Sequence, residues 1–286
     1  MITNPGVVVT GGTSGIGLET CIHFASRGYR VSLCGRNLER VDEVVHSLRT
    51  NHSASVFGAQ ADVRDLDQVV KFAQDSLQFH GPIGCLISNA GVLGPIGTIT
   101  DVVPEEFDKT FQSNSGALVS LIRAFWGQLE SCRDGRVVCL SGGGLGGKNP
   151  MLRAPAYVPS KAALAFLVEV LHPELAVIGT TINAIAPGSI PTHFLKSAID
   201  VGRSIAGDSL YDEAEMRDGK VPDGALDQYF DLLNYVLSRK ASALTGRLLS
   251  ARWETPTKLD EIIRTNGLTE DLFKLRRIDN DLFRES

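Results

Sequence analysis

Thr10-Gly11-Gly12-Thr13-Ser14-Gly15-Ile16-Gly17-Leu18 ends the apolar run Gly6-Val7-Val8-Val9-Thr10 and opens an amphipathic stretch. Glycines at these places permit a tight turn and let backbone N–H groups approach a pyrophosphate. They also let the following helix pack close to the strand. Placed after a buried strand and before a helix, the stretch predicts a dinucleotide-binding turn.

Six further apolar runs follow at helical intervals. They are Val31–Cys34, Ser55–Phe57, Cys85–Ser88, Val137–Leu140, Thr181–Ile185 and Leu244–Leu249. Four of the seven lack alternation with polar residues, as strands buried on both faces of a parallel sheet do. The stretches Arg36–Thr50, Asp65–His80 and Glu105–Arg133 are long enough to cross over that sheet. The expected fold is therefore α/β and doubly wound: a Rossmann-type, seven-stranded parallel sheet with helices on both faces. Ligands of such sheets lie beyond the carboxyl ends of the strands, so the residues at those ends are the candidates for function.

The 286 residues carry 28 Lys+Arg against 33 Asp+Glu, a net charge of −5. With a pI near 5.7, the chain is poorly suited to non-specific binding of nucleic acid or anionic membrane. No apolar run reaches the ~18 residues of a bilayer span. The first residues enter a strand pattern directly, so no signal peptide is expected. Cys21, Cys34, Cys85, Cys132 and Cys139 are scattered among apolar neighbours and form no CxxC. They predict reduced core residues in a cytoplasmic protein. The six histidines show no ligand spacing, and no metal is expected. Charge rises only at the end, where 15 of the last 35 residues are charged against 46 of the first 251. Residues 1–251 are expected to form the cofactor-binding unit. The segment 252–286 is expected to be a solvated extension with two short helices, near Lys258–Arg264 and Thr269–Arg276.

The spacing Gly11-x-x-x-Gly15-x-Gly17 resembles the TGxxxGxG turn of the short-chain dehydrogenase/reductase family, and the resemblance extends from residue 6 to about 251. It implies an oxidoreductase whose turn, including Thr13, Ser14 and Ile16, holds a nicotinamide dinucleotide. At the end of the second strand, where an acidic residue would hold the ribose of NAD, Gly35 stands and Arg36 follows. A guanidinium there suits the 2′-phosphate of NADP, with NAD as the alternative. Ser14 lacks the basic side chain that some NADP-binding members carry in the turn. Asp62-Val63 resembles the segment whose Asp meets the adenine amino group, although Asp62 is also placed to cap the next helix. Asn89-Ala90-Gly91 matches the family's NAG motif beneath the cofactor. Pro187-Gly188-Ser189-Ile190-Pro191-Thr192 resembles the PGxxxT segment around the nicotinamide, with Ile190 and Thr192 at the carboxamide.

Tyr157-x-x-x-Lys161 places a phenol and an ammonium on one helical face. A free phenol titrates near ~10, and nearby positive charge favours the phenolate. Tyr157 can then exchange a proton with the oxygen of a carbonyl or alcohol, while Lys161 tunes it and meets the nicotinamide ribose. Asn114 matches the family's catalytic Asn, which bends its helix and anchors a water leading from Lys161 to solvent. The serine departs from the pattern. By the strand, the family's catalytic Ser falls on Gly142, and Ser141 comes one place early. Counted back from Tyr157, Ser141 is sixteen residues upstream instead of about thirteen, which implies an insertion near Met151–Ala154. Ser141 supplies the hydroxyl, the glycine run supplies backbone donors, or the site is catalytically poor. The last possibility sets a cofactor-binding sensor or assembly subunit beside the enzyme.

Residues His193–Gly224 are expected to form an irregular substrate-covering loop. Phe194, Leu195, Ile199, Ile205 and Leu210 would be its apolar face, with hinges at Gly202, Gly207 and Gly219. Ser141-Gly142-Gly143-Gly144 and the Leu-Thr-Gly-Arg-Leu-Leu-Ser-Ala strand look like those of members in sugar-derivative metabolism. The family resemblance further implies a homodimer or homotetramer built on Glu105–Arg133 and Pro155–Ile178, with a small carbonyl or alcohol as substrate.

Overall fold

The computed structural model describes residues 6–142, 145, 151–188, 190, 193–217, 222–265 and 267–276, with the backbone alone for 193 and 194. Seven parallel strands form one sheet: β1 (Gly6–Thr10), β2 (Arg30–Gly35), β3 (Val56–Gln60), β4 (Ile83–Ser88), β5 (Arg136–Leu140), β6 (Thr181–Ala186) and β7 (Arg247–Ser250). Their spatial order is β3-β2-β1-β4-β5-β6-β7, so the chain reverses direction of travel between β1 and β4. The expected doubly wound sheet is present.

Helices cover both faces because successive residues of each strand bury to opposite sides. Val7 and Val9 of β1 face one core with Phe24 and Leu33, while Val8 faces the other with Phe72, Leu118 and Leu164. The first side is covered by α1 (Gly15–Ala25), α2 (Leu38–His52), α9 (Ala225–Val236) and α10 (Pro256–Thr265), the second by α3 (Leu66–His80), α5 (Ala117–Cys132) and α6 (Tyr157–Val177). Asn37 caps α2 through the Arg40 amide, and Asp65 caps α3 through those of Asp67 and Gln68. Asp62 is thus free of the capping task.

Several boundaries differ from the sequence expectation. Strand β3 runs on through Gly58 to Gln60, paired with Leu33–Gly35 of β2, and Val41 and Val45 of α2 take the room a Cβ at 58 would need. Strand β7 begins only at Arg247. Before it, Gly246 lies at φ 72 and donates its amide to Ile182, so Leu244-Thr245-Gly246 is a turn feeding the strand. The long helix after β4 is three pieces: α4 (Pro104–Phe111), a π segment (Gln112–Gly116) and α5.

The covering segment is helical, not irregular. It comprises α7 (His193–Val201) and α8 (Arg203–Arg217), which is kinked at Gly207 (φ 73). Leu195, Ile199 and Leu210 pack into a small core with Ala198, Ala206 and Ala214, whereas Ile205 is exposed. Gly202 (φ 82) and Gly207 adopt backbone that favours glycine. Gly219 and the Phe194 side chain lie outside the described residues.

In the extension, α10 is found and buries Leu259. The second expected helix is absent: residues 270–273 form turns. Arg247 draws the carbonyls of Thr269, Glu270 and Leu272 to itself, which removes them from helical pairing. Leu268 and Phe273 pack on the core, so this part of the extension is docked, not solvated.

Candidate active site

The turn after β1 is held by side chains from β1 and from the end of β4. Thr10 Oγ1 accepts the Asn89 and Ala90 amides at 3.1 Å, and Asn89 Nδ2 donates to the carbonyls of Thr10 (2.8 Å) and Gly11 (3.2 Å). A Cβ at Gly17 would collide with the Gly11 carbonyl and with Asn89 Nδ2, so the helix start packs this close only with glycine. Thr10, quoted in the motif but given no role by the sequence reading, ties the turn to the Asn-Ala-Gly segment together with the Asn89 side chain.

A cavity of about 800 Å³ lies beyond the carboxyl ends of the strands. Gly11, Thr13, Ser14, Gly15, Ile16 and Gly17 line one part of it, with Asn89, Ala90 and Gly91 beneath. Arg36, Asp62 and Val63 lie at one end, and Pro187, Gly188 and Ile190 line the side toward β6. Tyr157, Lys161 and Ser141 line the same space. Thr192, with Ser189 and Pro191, falls outside the described residues, as do Gly143 and Gly144 of the glycine run.

At the Arg36 end, Gly35 has a steric cause. A Cβ there would come within 2.8 Å of Thr13 Cγ2, so an acidic side chain has no room unless Thr13 moves. Arg36 is exposed and forms no ion pair among the described residues. Asp62, by contrast, is taken by Arg64: Nη2 lies 2.5 Å from Oδ2, and Nε bonds both oxygens. This side-chain bonding holds the Asp62 carboxyl below its ordinary range. Arg64 was not foreseen, although a basic residue two places after the Asp is a visible signal.

Tyr157 is the first residue of α6 and Lys161 stands one turn later. Burial pushes the Tyr157 phenol up to about 12 and the Lys161 ammonium down to about 8, since both charged forms lose solvation. Lys161 Nζ donates to the Leu140 carbonyl at 2.7 Å and lies 5.9 Å from the centre of the Tyr157 ring. The helix N-terminus adds a positive potential at Tyr157.

Asn114 sits in the π segment, just behind the cavity lining. Its Oδ1 accepts the Val92 amide (2.8 Å), and its Nδ2 donates to the Val92 carbonyl (2.9 Å) and Ser160 Oγ (2.9 Å). Ser160, fully buried and absent from the sequence reading, donates to the Tyr157 carbonyl at 2.7 Å. Asn114 is therefore coupled to the start of α6 through one hydroxyl.

The serine region shows why Gly142 stands where it does. A Cβ at Gly142 would collide with the Tyr157 hydroxyl. The phenol thus occupies the space of a side chain at 142. Ser141 donates its amide to the Ile185 carbonyl (2.8 Å), and its buried Oγ has no hydrogen-bond partner among the described residues. The Met151–Ala154 stretch meets two parts of the fold: Met151 packs on the small core of the covering helices, and the Arg153 carbonyl accepts the amide of Gly97 in the loop after β4.

A family model described as "short chain dehydrogenase" matches residues 6–200. Among curated proteins, the chain is 29% identical over 249 residues to a monensin polyketide synthase putative ketoacyl reductase of Streptomyces virginiae, covering 85% of this chain and 94% of that one. Among solved structures, an actinorhodin polyketide ketoreductase with NADPH matches with TM-score 0.75 and 25% identity, over 86% of this chain and 95% of the other. An NADPH-bound short chain oxidoreductase from Pseudomonas aeruginosa PAO1, described as containing an atypical catalytic center, matches with TM-score 0.72 and 26% identity. That match covers 86% of this chain and 94% of the other.

Proposed function

The chain belongs to the short chain dehydrogenase family, an oxidoreductase family, and on that premise we propose that it moves a hydride between NADP(H) and a carbonyl or secondary-alcohol carbon, with Tyr157 as acid/base. The observation that carries the reading is the opening of Tyr157, Lys161 and the glycine turn onto one cavity. The cradle fits a dinucleotide: the turn from Gly11 to Gly17 lines the cavity where α1 begins, and Gly17, with no room for a Cβ, lets that helix start pack against the strand end. When bound, NADP(H) supplies or accepts the hydride. In this reading the turn from Gly11 to Gly17 binds the pyrophosphate and Arg36 the 2′-phosphate. Asp62 and Val63 lie at the adenine, and Pro187, Gly188, Ile190 and Thr192 at the nicotinamide.

Tyr157 Oη holds the proton and delivers it to the substrate oxygen during reduction, then takes it back in the reverse direction. Lys161 favours the phenolate by its charge. Asn114, through Ser160, keeps Tyr157 in place. Ser141 Oγ has a donor to spend on the substrate oxygen, and the backbone amides after β5 are the alternative. The crowding of Gly35 supports NADP over NAD, and NADPH-bound neighbours agree with that choice. The five free cysteines support a reducing, cytoplasmic setting. Exposed Val119, Phe166, Val170 and Val177 on α5 and α6 support a homodimer or homotetramer through these helices. Residues 1–251 are taken as the cofactor-binding unit and 252–286 as an added segment.

The test is NADPH consumption with ketones, keto-sugars and 3-oxoacyl thioesters, beside NADPH affinity measured directly. Y157F is expected to lower kcat by about 100-fold or more while NADPH affinity falls far less. R36A should weaken NADPH by about tenfold and NADH much less. S141A separates the two oxygen-binding options: lost turnover assigns the role to its hydroxyl, unchanged turnover to the amides. Gly142 favours a second reading, a cofactor-binding protein without turnover. Tight NADPH binding, no consumption with any probe and no effect of Y157F would establish it.

A further inference from the structure

The cavity over Tyr157 continues past the end of β7, where Arg252, Trp253 and Glu254 line it, as do Phe273, Lys274 and Leu275 of the extension. That stretch of the extension is fastened at three points. Arg247 Nη1 meets the carbonyl oxygens of Thr269 and Glu270 at 3.0 Å and of Leu272 at 2.5 Å. The Leu248 amide donates to the Phe273 carbonyl at 2.8 Å, which covers the edge of β7. Glu169, on the helix that begins with Tyr157, takes a fork from Arg276 (2.6 and 3.0 Å) and the Lys274 ammonium (3.2 Å).

The cations of the cavity lining divide into two groups. Arg64 is paired with Asp62, Arg217 with Glu213 and Lys274 with Glu169, while Lys161 belongs to the reacting pair. Arg36 and Arg252 line the cavity with no carboxylate partner among the described residues. They stand at opposite ends, one after β2 and the other after β7, with four strands between. Arg36 serves the cofactor's 2′-phosphate in the reading above. Arg252 lies on the other side of β5 and β6, whose loops hold Gly142, Pro187 and Gly188.

The Arg252 guanidinium lies over the Trp253 ring at 4.6 Å. Stacking on an aromatic face fixes the plane of the guanidinium and leaves its edge of donors free for a carboxylate or phosphate. Glu254 does not compete for it, because its carboxylate is turned to the Ser250 amide. The same cavity is lined by the apolar side chains of Leu195, Leu210, Met151 and Leu275.

We propose that Arg252, bedded on Trp253, binds an anionic group of the substrate, so that the enzyme acts on carbonyl compounds bearing a carboxylate or phosphate. Two inter-strand spacings separate β7 from β5, which sets the group on the order of 10 Å from the carbonyl. The proposal rests on Tyr157 being the acid/base, and its test is arranged to fail separately from that reading.

The probes are two matched pairs, 9-oxodecanoate with its methyl ester and a 2-ketohexose 6-phosphate with the free ketohexose. In the intact chain the charged member should show a KM at least about tenfold lower than its neutral partner in one pair. R252A should raise KM for the charged member about tenfold more than for the neutral one, and R252K should recover part of the difference. Which pair responds distinguishes carboxylate from phosphate. Equal effects on both members, or no preference in the intact chain, overturn the proposal. Calorimetric binding of 9-oxodecanoate and of the sugar phosphate to the NADP⁺-loaded protein, which has no hydride to give a ketone, supplies a readout without turnover. Binding that R252A weakens, in a protein that consumes no NADPH, upholds the anion site and removes the hydride-transfer reading. Binding to neither probe removes the anion site.

Discussion

Tyr157 and Lys161 share one buried corner, and burial is the largest cause that moves their protonation in opposite directions, to about 12 and about 8. A lysine with a depressed value is an ammonium below it and neutral above it. Reduction requires the phenol protonated and the ammonium charged. The kcat/KM for ketone reduction is therefore expected to fall as pH rises through about 8, well before the phenol titrates. A pH profile of NADPH oxidation checks this, and a flat profile from 7 to 10 would remove the role of the ammonium. Gly142 offers a sharper test of the same corner. A Cβ at this position meets the Tyr157 hydroxyl, so G142A should displace the phenol and lower kcat about tenfold or more. NADPH affinity should change less than kcat. The pair itself was legible in the sequence, because four residues on a helix define one face. The reason for Gly142 was not, because its neighbour Tyr157 is fifteen residues away along the chain.

Among the elements, the π segment carries the most information. The sequence suggested one helix over 105–133 with an Asn in its middle. The chain instead widens at Gln112–Gly116, and the Asn114 side chain does the hydrogen bonding that its neighbourhood lacks. N114L would leave both Val92 backbone groups and Ser160 without this partner. Buried groups left so cost about 1–3 kcal/mol each. Melting temperature should drop by several degrees and kcat should fall, with calorimetry and turnover read on one preparation. An unchanged kcat would make Asn114 merely structural. The covering helices α7 and α8 show the opposite kind of surprise. Their composition is polar and broken by glycines, which hid their helicity. Burial of Ala198, Ala206, Leu210 and Ala214 against one another supplies what the local sequence lacks.

For the whole molecule, the 252–286 segment is where expectation and structure part. Its charge predicted a solvated appendage. Leu259 of this segment nevertheless lies in the core, Leu268 and Phe273 pack against it, and Arg276 and Lys274 converge on Glu169. These pairs hold the Glu169 carboxyl down to about 2, chiefly through the Arg276 bond. The contribution is present above the ordinary carboxylate range and is lost as pH falls from about 4.5 towards 2. Exposed pairs of this kind contribute little each, so most of the docking comes from the apolar contacts and the Arg247 bonds. Removing residues 267–286 is expected to leave NADPH affinity within about twofold and to raise substrate KM. It should also lower melting temperature by several degrees, as about 1–3 kcal/mol of apolar burial is lost. Unchanged KM and melting temperature together would show that the docked segment has no part in the site.

The sequence by itself determined the sheet, the glycine turn and the Tyr–Lys pair. Each depends on residues within a turn or two of one another, where spacing translates directly into geometry. Tertiary structure alone decided which residue packs against Tyr157, what Arg64 does to Asp62, and that a charged tail closes the far side of the cavity. Those outcomes are set by contacts between elements distant along the chain, such as Arg247 with the 269–272 carbonyls and Glu169 with Arg276. No local pattern records such meetings, because whether a charge is solvated or paired depends on what the fold brings beside it.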